Sequence, residues 1–253
     1  LKVVGEDGRI HSSFNQTETR TGRISSTEPN LQNIPTRTEL GSQLRRMFTA
    51  PEGCVLVDAD YSQIELRLLA HIAGDTEMQA AFRSGEDFHT VTASFSLAQD
   101  IGVSVAEAKA YMERYFETYQ GVRQYMTDVV AKAEQDGYVQ TLMHRRRALP
   151  ELKSSNFNMR EFGKRVALNM PVQGTAADIM KLAMVRVHHR LKREGLRARL
   201  LMQVHDELIV ECPASEREQV ERLLTEEMEQ AARLSVPLIA EAHSGKNWLA
   251  AKE

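Results

Sequence analysis

The sequence predicts an α+β protein in which a small sheet is accompanied by several amphipathic helices. Short apolar runs bounded by turn residues predict the strands, and a tight acidic turn between two of them predicts a hairpin. Apolar residues that recur three and four positions apart predict the helices. The predicted strands are residues 54–57, 200–204 and 208–211. The predicted helices are residues 64–72, 108–119 and 122–133 with an interruption at Gly121, 175–194 and 215–234.

Composition narrows the class of protein. The chain has 253 residues, a formal net charge of -3, 42% hydrophobic residues and 26% charged residues, as an ordinary globular protein does. The near-neutral charge argues against a small module that binds nucleic acid through bulk positive charge, although local basic patches remain compatible with it. Two distant cysteines favour a reducing compartment, so we expect a cytoplasmic protein. No apolar run approaches the roughly 20 residues that cross a bilayer, and we expect no membrane partner.

The first 50 residues are polar and rich in turn formers. Residues 17–35 are crowded with Thr, Ser, Asn, Gly and Pro, which predicts an ordered loop rather than a helix or a core strand. A flexible linker is the alternative, but the segment has a high density of hydrogen-bonding side chains, and surface loops often carry binding groups. These side chains are Arg20, Arg23, Asn30, Gln32 and Asn33.

The ends of the predicted helices carry recognisable signals. Gly74 stops the first helix, and Thr76 with Gln79 forms a predicted capping box for the next. Residues 215–218 form another predicted capping box, and Gly137 is a natural C-cap. The helix over residues 175–194 is predicted to bury Ile179, Leu182, Ala183 and Val187.

Two acidic features resist a purely structural interpretation. Asp60 follows a buried apolar strand, and Asp206 and Glu207 occupy the turn of the predicted hairpin. Charged groups beside buried strands cost free energy unless they are paired or metal-bound. If the two strands are neighbours, Asp60 and Asp206 can converge and bind Mg²⁺. Turns also take Asp for local backbone bonding, and Asp58 shares the face of Asp60, so the choice of carboxylates stays open at this point.

Basic and amide side chains fit a phosphate-bearing partner. Arginine and lysine suit phosphate, whereas glutamine and asparagine suit base edges or sugar hydroxyls. The basic cluster at residues 144–147 is predicted to lie in a turn, where phosphate contact and simple solvation are equally open. The sequence contains no Walker loop, no Cys/His zinc pattern and no GxSxG elbow.

In combination, four motifs resemble the polymerase region of bacterial family A DNA polymerases. The family's motif A is matched by DYSQIELR, and its motif C is matched by QVHDE. The two further signatures are a TGRISS stretch followed by PNLQNIP, and the stretch NMPVQGTAAD. In this sequence the motifs occupy residues 60–67, 203–207, 21–35 and 169–178.

The resemblance implies a right-hand architecture whose palm carries an antiparallel sheet with a metal site. It implies that Asp60 and Asp206 bind two Mg²⁺ ions, for which Mn²⁺ is a substitute, together with the backbone carbonyl of Tyr61. Glu207 is implied as an auxiliary acid near the primer end, which completes a catalytic set of Asp60, Asp206 and Glu207. The implied partners are primer-template DNA and a dNTP, and we expect a monomer.

The resemblance also implies residues for each partner. Glu65 is expected against the sugar of the incoming nucleotide, where a 2′-OH is disfavoured. Gln63 and His89 are expected on the same nucleotide-binding surface. The minor groove differs little between base pairs, which suits an enzyme that copies any sequence. The residues expected to contact DNA are Arg23, Asn30, Gln32, Asn33, Arg37, Arg165, Asn169, Gln173 and His205.

One family segment is missing. The resemblance assigns residues 1–66 and 166–253 to the palm and residues 67–165 to incomplete fingers, with the thumb absent. Between Ser94 and Phe95 the family has a mobile fingers helix whose basic and aromatic residues grip the triphosphate. Either the protein contains this mobile helix and this sequence leaves it out, or the protein itself lacks the helix through a true deletion. We favour the first explanation because fingers helices move, and a Cα separation of about 3.8 Å would exclude it.

The sequence therefore predicts a template-directed DNA polymerase, part of a DNA polymerase I used in replication and repair. Two alternatives stay open. The first is a DNA-binding palm fragment that is catalytically incomplete because its fingers helix is deleted. The second is a two-metal nuclease that uses the same carboxylates, for which the basic residues give no support.

Overall fold

The computed structural model describes residues 4–35, 39–84 and 105–252, and it is an α+β structure. The eight described strands are β1 (Ser13–Asn15), β2 (Ser25–Thr27), β3 (Cys54–Tyr61), β4 (Tyr138–Gln140), β5 (Arg146–Ala148), β6 (Arg199–Val204), β7 (Glu207–Pro213) and β8 (Ala240–Gly245). The seven described α-helices are α1 (Glu39–Leu44), α2 (Ile64–Ile72), α3 (Thr76–Ser84), α4 (Val105–Thr118), α5 (Gln120–Asp136), α6 (Phe157–Arg193) and α7 (Arg217–Glu229).

The main sheet has four antiparallel strands in the order β6-β7-β3-β8. The predicted hairpin of β6 and β7 is confirmed, and β3 lies beside β7 as its next neighbour. β3 is longer than predicted, because the acidic residues that follow its apolar run also pair with both neighbouring strands. The acidic end of β3 is thus part of the sheet rather than a loop beyond it.

The chain divides into two compact units. The first comprises residues 1–64, 173–233 and 238–253, and the second comprises residues 65–172 and 234–237. The predicted domain boundaries fall after residues 66 and 165, whereas the compact units change after residues 64 and 172. The names palm and fingers stay predictions for these units.

Each unit has its own hydrophobic core. In the first unit, side chains from β3, β6 and β7 pack around the fully buried Trp248 and Ala251 near the C-terminus. In the second unit, one cluster joins α2 and α3 to Val122 of α5, and another joins α5 and α6 through Ala133 and Met170. Burial of these apolar side chains is the main source of the stability of each unit.

Helix α6 is much longer than predicted. It begins at Phe157 and passes through Pro171, so the predicted stretch is only its second half. Ile179, Ala183 and Val187 are fully buried, but the prediction for Leu182 is wrong, because this side chain is 42% exposed. At 3.6 residues per turn, Leu182 lies about 100° from the centre of the buried stripe. None of the helices in the described part of the chain is long and apolar enough to cross a membrane.

The predicted helix ends are partly right. Gly137 is a left-handed C-cap whose N–H donates to the carbonyl of Ala133, as predicted. The capping box at Thr76 is wrong, because Asp75 takes the capping position and accepts a hydrogen bond from the backbone N–H of Met78 at 2.9 Å. The capping box at residues 215–218 is also wrong: a 3-10 turn over Ala214–Glu216 precedes α7, and no side chain caps that helix.

Candidate active site

The sheet brings the predicted carboxylates to one end of neighbouring strands. In the antiparallel register Asp60 of β3 lies directly opposite Glu207 of β7. Asp206 precedes Glu207 in the turn from β6, and its carbonyl accepts a hydrogen bond from the backbone N–H of Tyr61 at 3.1 Å. Strands β3 and β7 are therefore neighbours, which is the condition for Asp60 to converge with the hairpin.

Two of the acids at this end of the sheet are buried. Asp58 is 3% exposed and Glu207 is 4% exposed, whereas Asp60 is partly exposed. Burial raises the pKa of Asp58 to about 7, and the nearby charge of Glu207 adds to the shift. Burial also raises the pKa of Glu207, against the opposing influence of Lys252. Asp58 is fixed by the indole N–H of Trp248, which donates to its Oδ2 at 3.0 Å.

Lys252 brings a cation to this acidic cluster, which we define as Asp58, Asp60 and Glu207. Its Nζ lies 3.4 Å from Oδ2 of Asp60 and forms an ion pair with Oε2 of Glu207. Burial favours a lower pKa for Lys252, but Glu207 and the two aspartates outweigh it, so the net pKa of the lysine is raised. Sequence reasoning missed Lys252, because neither a motif nor helical or strand periodicity connects it with β3 and β7.

The oxygens of the acidic cluster fit a cation. Among the described residues, Oδ1 of Asp60 and Oε1 of Glu207 are buried without a hydrogen-bond partner. Buried carboxylate oxygens of this kind are satisfied by metal ions as well as by donors. In the described ranges, no group of three or more His, Cys, Asp or Glu side chains is arranged to hold a metal by itself. The predicted set, two aspartates and a backbone carbonyl, would therefore need further oxygens from water or substrate phosphate.

An open cavity of about 200 Å³ adjoins the acidic cluster. Asp58 and Asp60 line it from β3, Glu241 and His243 line it from β8, and Lys252 lines it from the C-terminal segment. Asp58 and Asp60 share a face of the strand, as their two-residue spacing predicts. The partly exposed Asp60 is therefore accessible to small polar ligands or ions.

The turn-rich loop of residues 17–35 is joined to the β6–β7 hairpin by hydrogen bonds. The side-chain amide of Gln32 donates to the backbone carbonyl of Gln203 at 3.1 Å, and the backbone carbonyl of Gln32 lies 3.1 Å from Nε2 of His205. His205 is exposed and adopts a left-handed backbone conformation with φ of 51°. Two of the predicted DNA-binding residues, Gln32 and His205, thus lie together beside Asp206.

The other predicted loop residues are partly or fully exposed. Arg23 lies just before β2, and its carbonyl accepts a hydrogen bond from the hydroxyl of Thr19 at 2.6 Å. Asn30 is exposed and accepts the backbone N–H of Gln32, while Asn33 is exposed nearby. This loop is ordered by local hydrogen bonds, as its turn-rich composition predicts. Arg37 lies outside the described residues.

Helix α6 carries three of the predicted DNA-binding residues at a spacing of four. Arg165 and Asn169 are exposed, and Gln173 is half-buried. Side chains four positions apart lie on the same helix face. The sequence did not predict a helix before residue 175, so this alignment was not foreseen.

The predicted nucleotide-binding residues follow β3. Gln63 is half-buried and has a positive φ of 53°, in the short turn between β3 and α2. Glu65 is half-buried in the first turn of α2, where a carboxylate interacts favourably with the helix dipole. His89 lies outside the described residues, as do Ser94 and Phe95.

The model of DNA polymerase family A matches residues 1–96 and 92–250. The chain belongs to DNA polymerase family A. It is 48% identical to DNA polymerase I of Bacillus caldotenax and 45% identical to the thermostable DNA polymerase I of Thermus filiformis, with 100% and 97% of this chain covered. It covers 32% and 33% of those proteins, so it spans about a third of their length.

A solved family A structure has the same fold. The POL domain of Pol1 from M. smegmatis, in complex with DNA primer-template and dNTP, superposes with a TM-score of 0.92 at 45% identity. The match covers 100% of this chain and 50% of that chain. The α+β architecture is therefore that of a polymerase domain, as the sequence motifs predicted.

The family match is interrupted in one place. The two matched ranges, 1–96 and 92–250, overlap at residues 92–96. The alignment with the Bacillus caldotenax enzyme extends over 285 positions, although this chain has 253 residues. The interruption coincides with the predicted site of the missing family segment. The structure does not test the Cα separation of Ser94 and Phe95, because both lie outside the described residues.

Proposed function

We propose that the chain is the catalytic part of a template-directed DNA polymerase. It transfers a deoxynucleotidyl unit from a dNTP to the 3′-OH of a primer and releases pyrophosphate. The observation that carries this proposal is the register of β3 and β7, which sets Asp60 opposite Glu207 beside the turn that contains Asp206, in a chain of DNA polymerase family A. The M. smegmatis neighbour, a complex with primer-template and dNTP, supports the choice of partners.

The carboxylates have distinct proposed roles. Asp60 and Asp206, with the Tyr61 carbonyl, hold two divalent cations, which are Mg²⁺ in the cell and Mn²⁺ as a substitute. When bound, such ions activate the 3′-OH and stabilise the leaving pyrophosphate. Glu207 lies beside Asp60, and burial raises its pKa. Its protonation therefore changes the combined negative charge of Glu207 and Asp60. The partial exposure of Asp60 leaves it accessible to the triphosphate.

The remaining proposed roles concern position. Glu65, Gln63 and His89 bind the incoming nucleotide, and Glu65 disfavours a ribose because a 2′-OH would leave polar groups unpaired. Gln32 and His205 are held together by a hydrogen bond, so they present one polar surface to the primer end. The other proposed DNA contacts are Arg23, Asn30, Asn33, Arg37, Arg165, Asn169 and Gln173. The monomeric state and the cytoplasmic location stay predictions.

Primer extension tests the proposal. We expect Asp60→Ala and Asp206→Ala each to lower the extension rate about a thousandfold or more, since each removes a carboxylate that stabilises transition-state charge. Glu218→Ala is the matched control, because this acid of the same unit has a side chain that is 83% exposed on α7. Circular dichroism of each variant monitors folding. Extension near the wild-type rate by either aspartate variant would refute the assignment.

A second candidate function is favoured by the interrupted family match. If the fingers segment is deleted, the chain binds primer-template without extending it. Fluorescence anisotropy with labelled primer-template, combined with extension assays, separates the two functions. Binding without extension by this chain, together with extension by a version in which the family segment is restored after Ser94, would favour the DNA-binding fragment. Cleavage of DNA without dNTPs would instead favour a nuclease.

A further inference from the structure

The C-terminal segment, residues 246–252, is firmly anchored to the first unit. Trp248 is fully buried, its ring meets that of Phe48 edge to face at 5.3 Å, and its backbone N–H donates to the Phe48 carbonyl at 2.9 Å. The guanidinium of Arg45 lies 4.3 Å from the centre of the same indole ring. These contacts hold the segment beside the end of β3.

The segment then turns so that its lysine is directed to the acidic cluster. The side chain of Asn247 accepts the N–H of Ala250, and the backbone N–H of Lys252 donates to the carbonyl of Leu249 at 3.0 Å. The turn brings the ammonium group to one oxygen of Asp60 and one oxygen of Glu207. The second oxygen of each of these acids is buried and has no partner among the described residues.

This arrangement leaves Asp60 shared between two cations. Lys252 supplies a single charge that is covalently tethered and partly buried, with a side chain that is 29% exposed. A divalent ion that binds Asp60 would meet this charge at close range, and like charges in a partly desolvated site repel strongly. The lysine therefore stabilises the acids when no metal is bound and opposes the metal when it binds.

We infer that Lys252 is a positioning residue that competes with the divalent cation for Asp60 and Glu207. It keeps the carboxylates in place without metal and weakens metal binding, so that retention of the ion depends on the additional oxygens that substrate brings. The inference rests on the proposed function for the identity of the site. It concerns a lysine to which neither the family motifs nor the sequence patterns assign a role.

Metal affinity of the DNA-free protein tests the inference. We expect Lys252→Met to bind Mn²⁺ about tenfold more tightly than the wild type, because the repelling charge is removed. Electron paramagnetic resonance of free Mn²⁺ during titration of metal-free protein measures the affinity. Lys252→Arg keeps the charge and should stay within about twofold of the wild type, as should Lys246→Met, an exposed lysine of the same segment.

Thermal unfolding in a chelator gives a second readout. Lys252→Met should unfold at a lower temperature than the wild type without metal, and Mn²⁺ should restore more of its stability than it adds to the wild type. If Lys252→Met does not fold, Lys252→Gln is titrated instead, with the same expectation. Unchanged or weaker Mn²⁺ binding in the folded variant would overturn the inference, since an anchoring role alone cannot tighten metal binding.

The outcomes distinguish this inference from the proposed function. If the wild type extends primers and Lys252→Met binds Mn²⁺ no more tightly, the inference fails and the polymerase assignment stands. If Lys252→Met binds Mn²⁺ more tightly but the wild type does not extend primers, the inference stands and the proposed function fails.

Discussion

Strand β7 carries two buried glutamates, and the two have different surroundings. Glu207 and Glu211 are four positions apart, so both face the same side of the sheet, and their side chains are 5% and 4% exposed. Glu211 is paired on both oxygens, with Arg199 at 2.7 Å and Arg9 at 3.2 Å. Glu207 has one paired oxygen and one buried oxygen without a partner among the described residues.

The difference separates a carboxylate that the fold neutralises from one that the fold leaves partly unsatisfied. Two largely exposed arginines neutralise Glu211 and remain solvated themselves, so its burial is compensated within the fold. Glu207 lies beside further acids, and burial raises its pKa. A site that keeps an unsatisfied acceptor retains the capacity to bind a cation. Carboxylates with perturbed pKa values are also common at functional sites. Burial of an acid alone thus does not identify an active site.

Removal of both arginines should turn Glu211 into an uncompensated buried charge. We expect the double variant Arg9→Met/Arg199→Met to lose about 3 kcal/mol of unfolding free energy, because a buried acid without its partners must be desolvated alone. Urea unfolding measures the loss. The control is Arg217→Met, whose exposed pairing with Glu218 is worth at most about 1 kcal/mol. A loss below about 1 kcal/mol in the double variant would contradict the comparison, because Glu211 would then tolerate burial as Glu207 does.

Asp75 in the second unit shows a third way to satisfy a buried acid. It is 3% exposed and accepts backbone N–H groups from Met78 of α3 and Val122 of α5, at 2.9 and 3.2 Å. Helix N-termini offer such donors because their first N–H groups have no partner within the helix. Asp75 therefore needs no cation, which strengthens the contrast with Glu207.

The fit of Asp75 depends on the absence of a side chain at Gly121. A Cβ there would lie 2.9 Å from both Cα and Oδ2 of Asp75. We expect Gly121→Ala to lose about 2 kcal/mol of stability through this overlap, although alanine favours helices more than glycine by about 1 kcal/mol. Thermal and urea unfolding measure the change, and Gln124→Ala on the exposed face of α5 should stay within about 0.5 kcal/mol. Stabilisation by Gly121→Ala would show that Asp75 shifts freely.

The features that the sequence predicted well are those with a short-range pattern. The acidic turn at Asp206 predicted the β6–β7 hairpin, and the apolar run before Asp60 predicted strand β3, because strands and tight turns leave local signals. The first half of α6 was missed, since Pro171 and the polar residues before it mimic a loop and only tertiary packing compensates for the proline.

Long-range features of the site left no such pattern. The position of Lys252 depends on the burial of Trp248 against Phe48, a contact between distant parts of the chain. The two arginines that pair with Glu211 come from distant parts of the chain: Arg9 lies before β1, and Arg199 lies in β6. Asp75 displaced the expected cap at Thr76 because its second oxygen also meets α5. Each of these side chains has an ordinary local sequence, and its partner is selected only by the fold.

The most direct test of the comparison neutralises each glutamate of β7 in turn. We expect Glu207→Gln to lower the rate of primer extension about tenfold, equivalent to about 1.4 kcal/mol, with stability unchanged or raised because a partly unsatisfied charge is removed. Glu211→Gln should show the opposite pattern, with extension unchanged and about 1 kcal/mol of stability lost, since its arginines remain solvated. Single-turnover extension and urea unfolding of the same preparations measure both quantities. If both variants lose stability and neither loses rate, Glu207 is a structural acid like Glu211, and the difference in their hydrogen bonding has no bearing on catalysis.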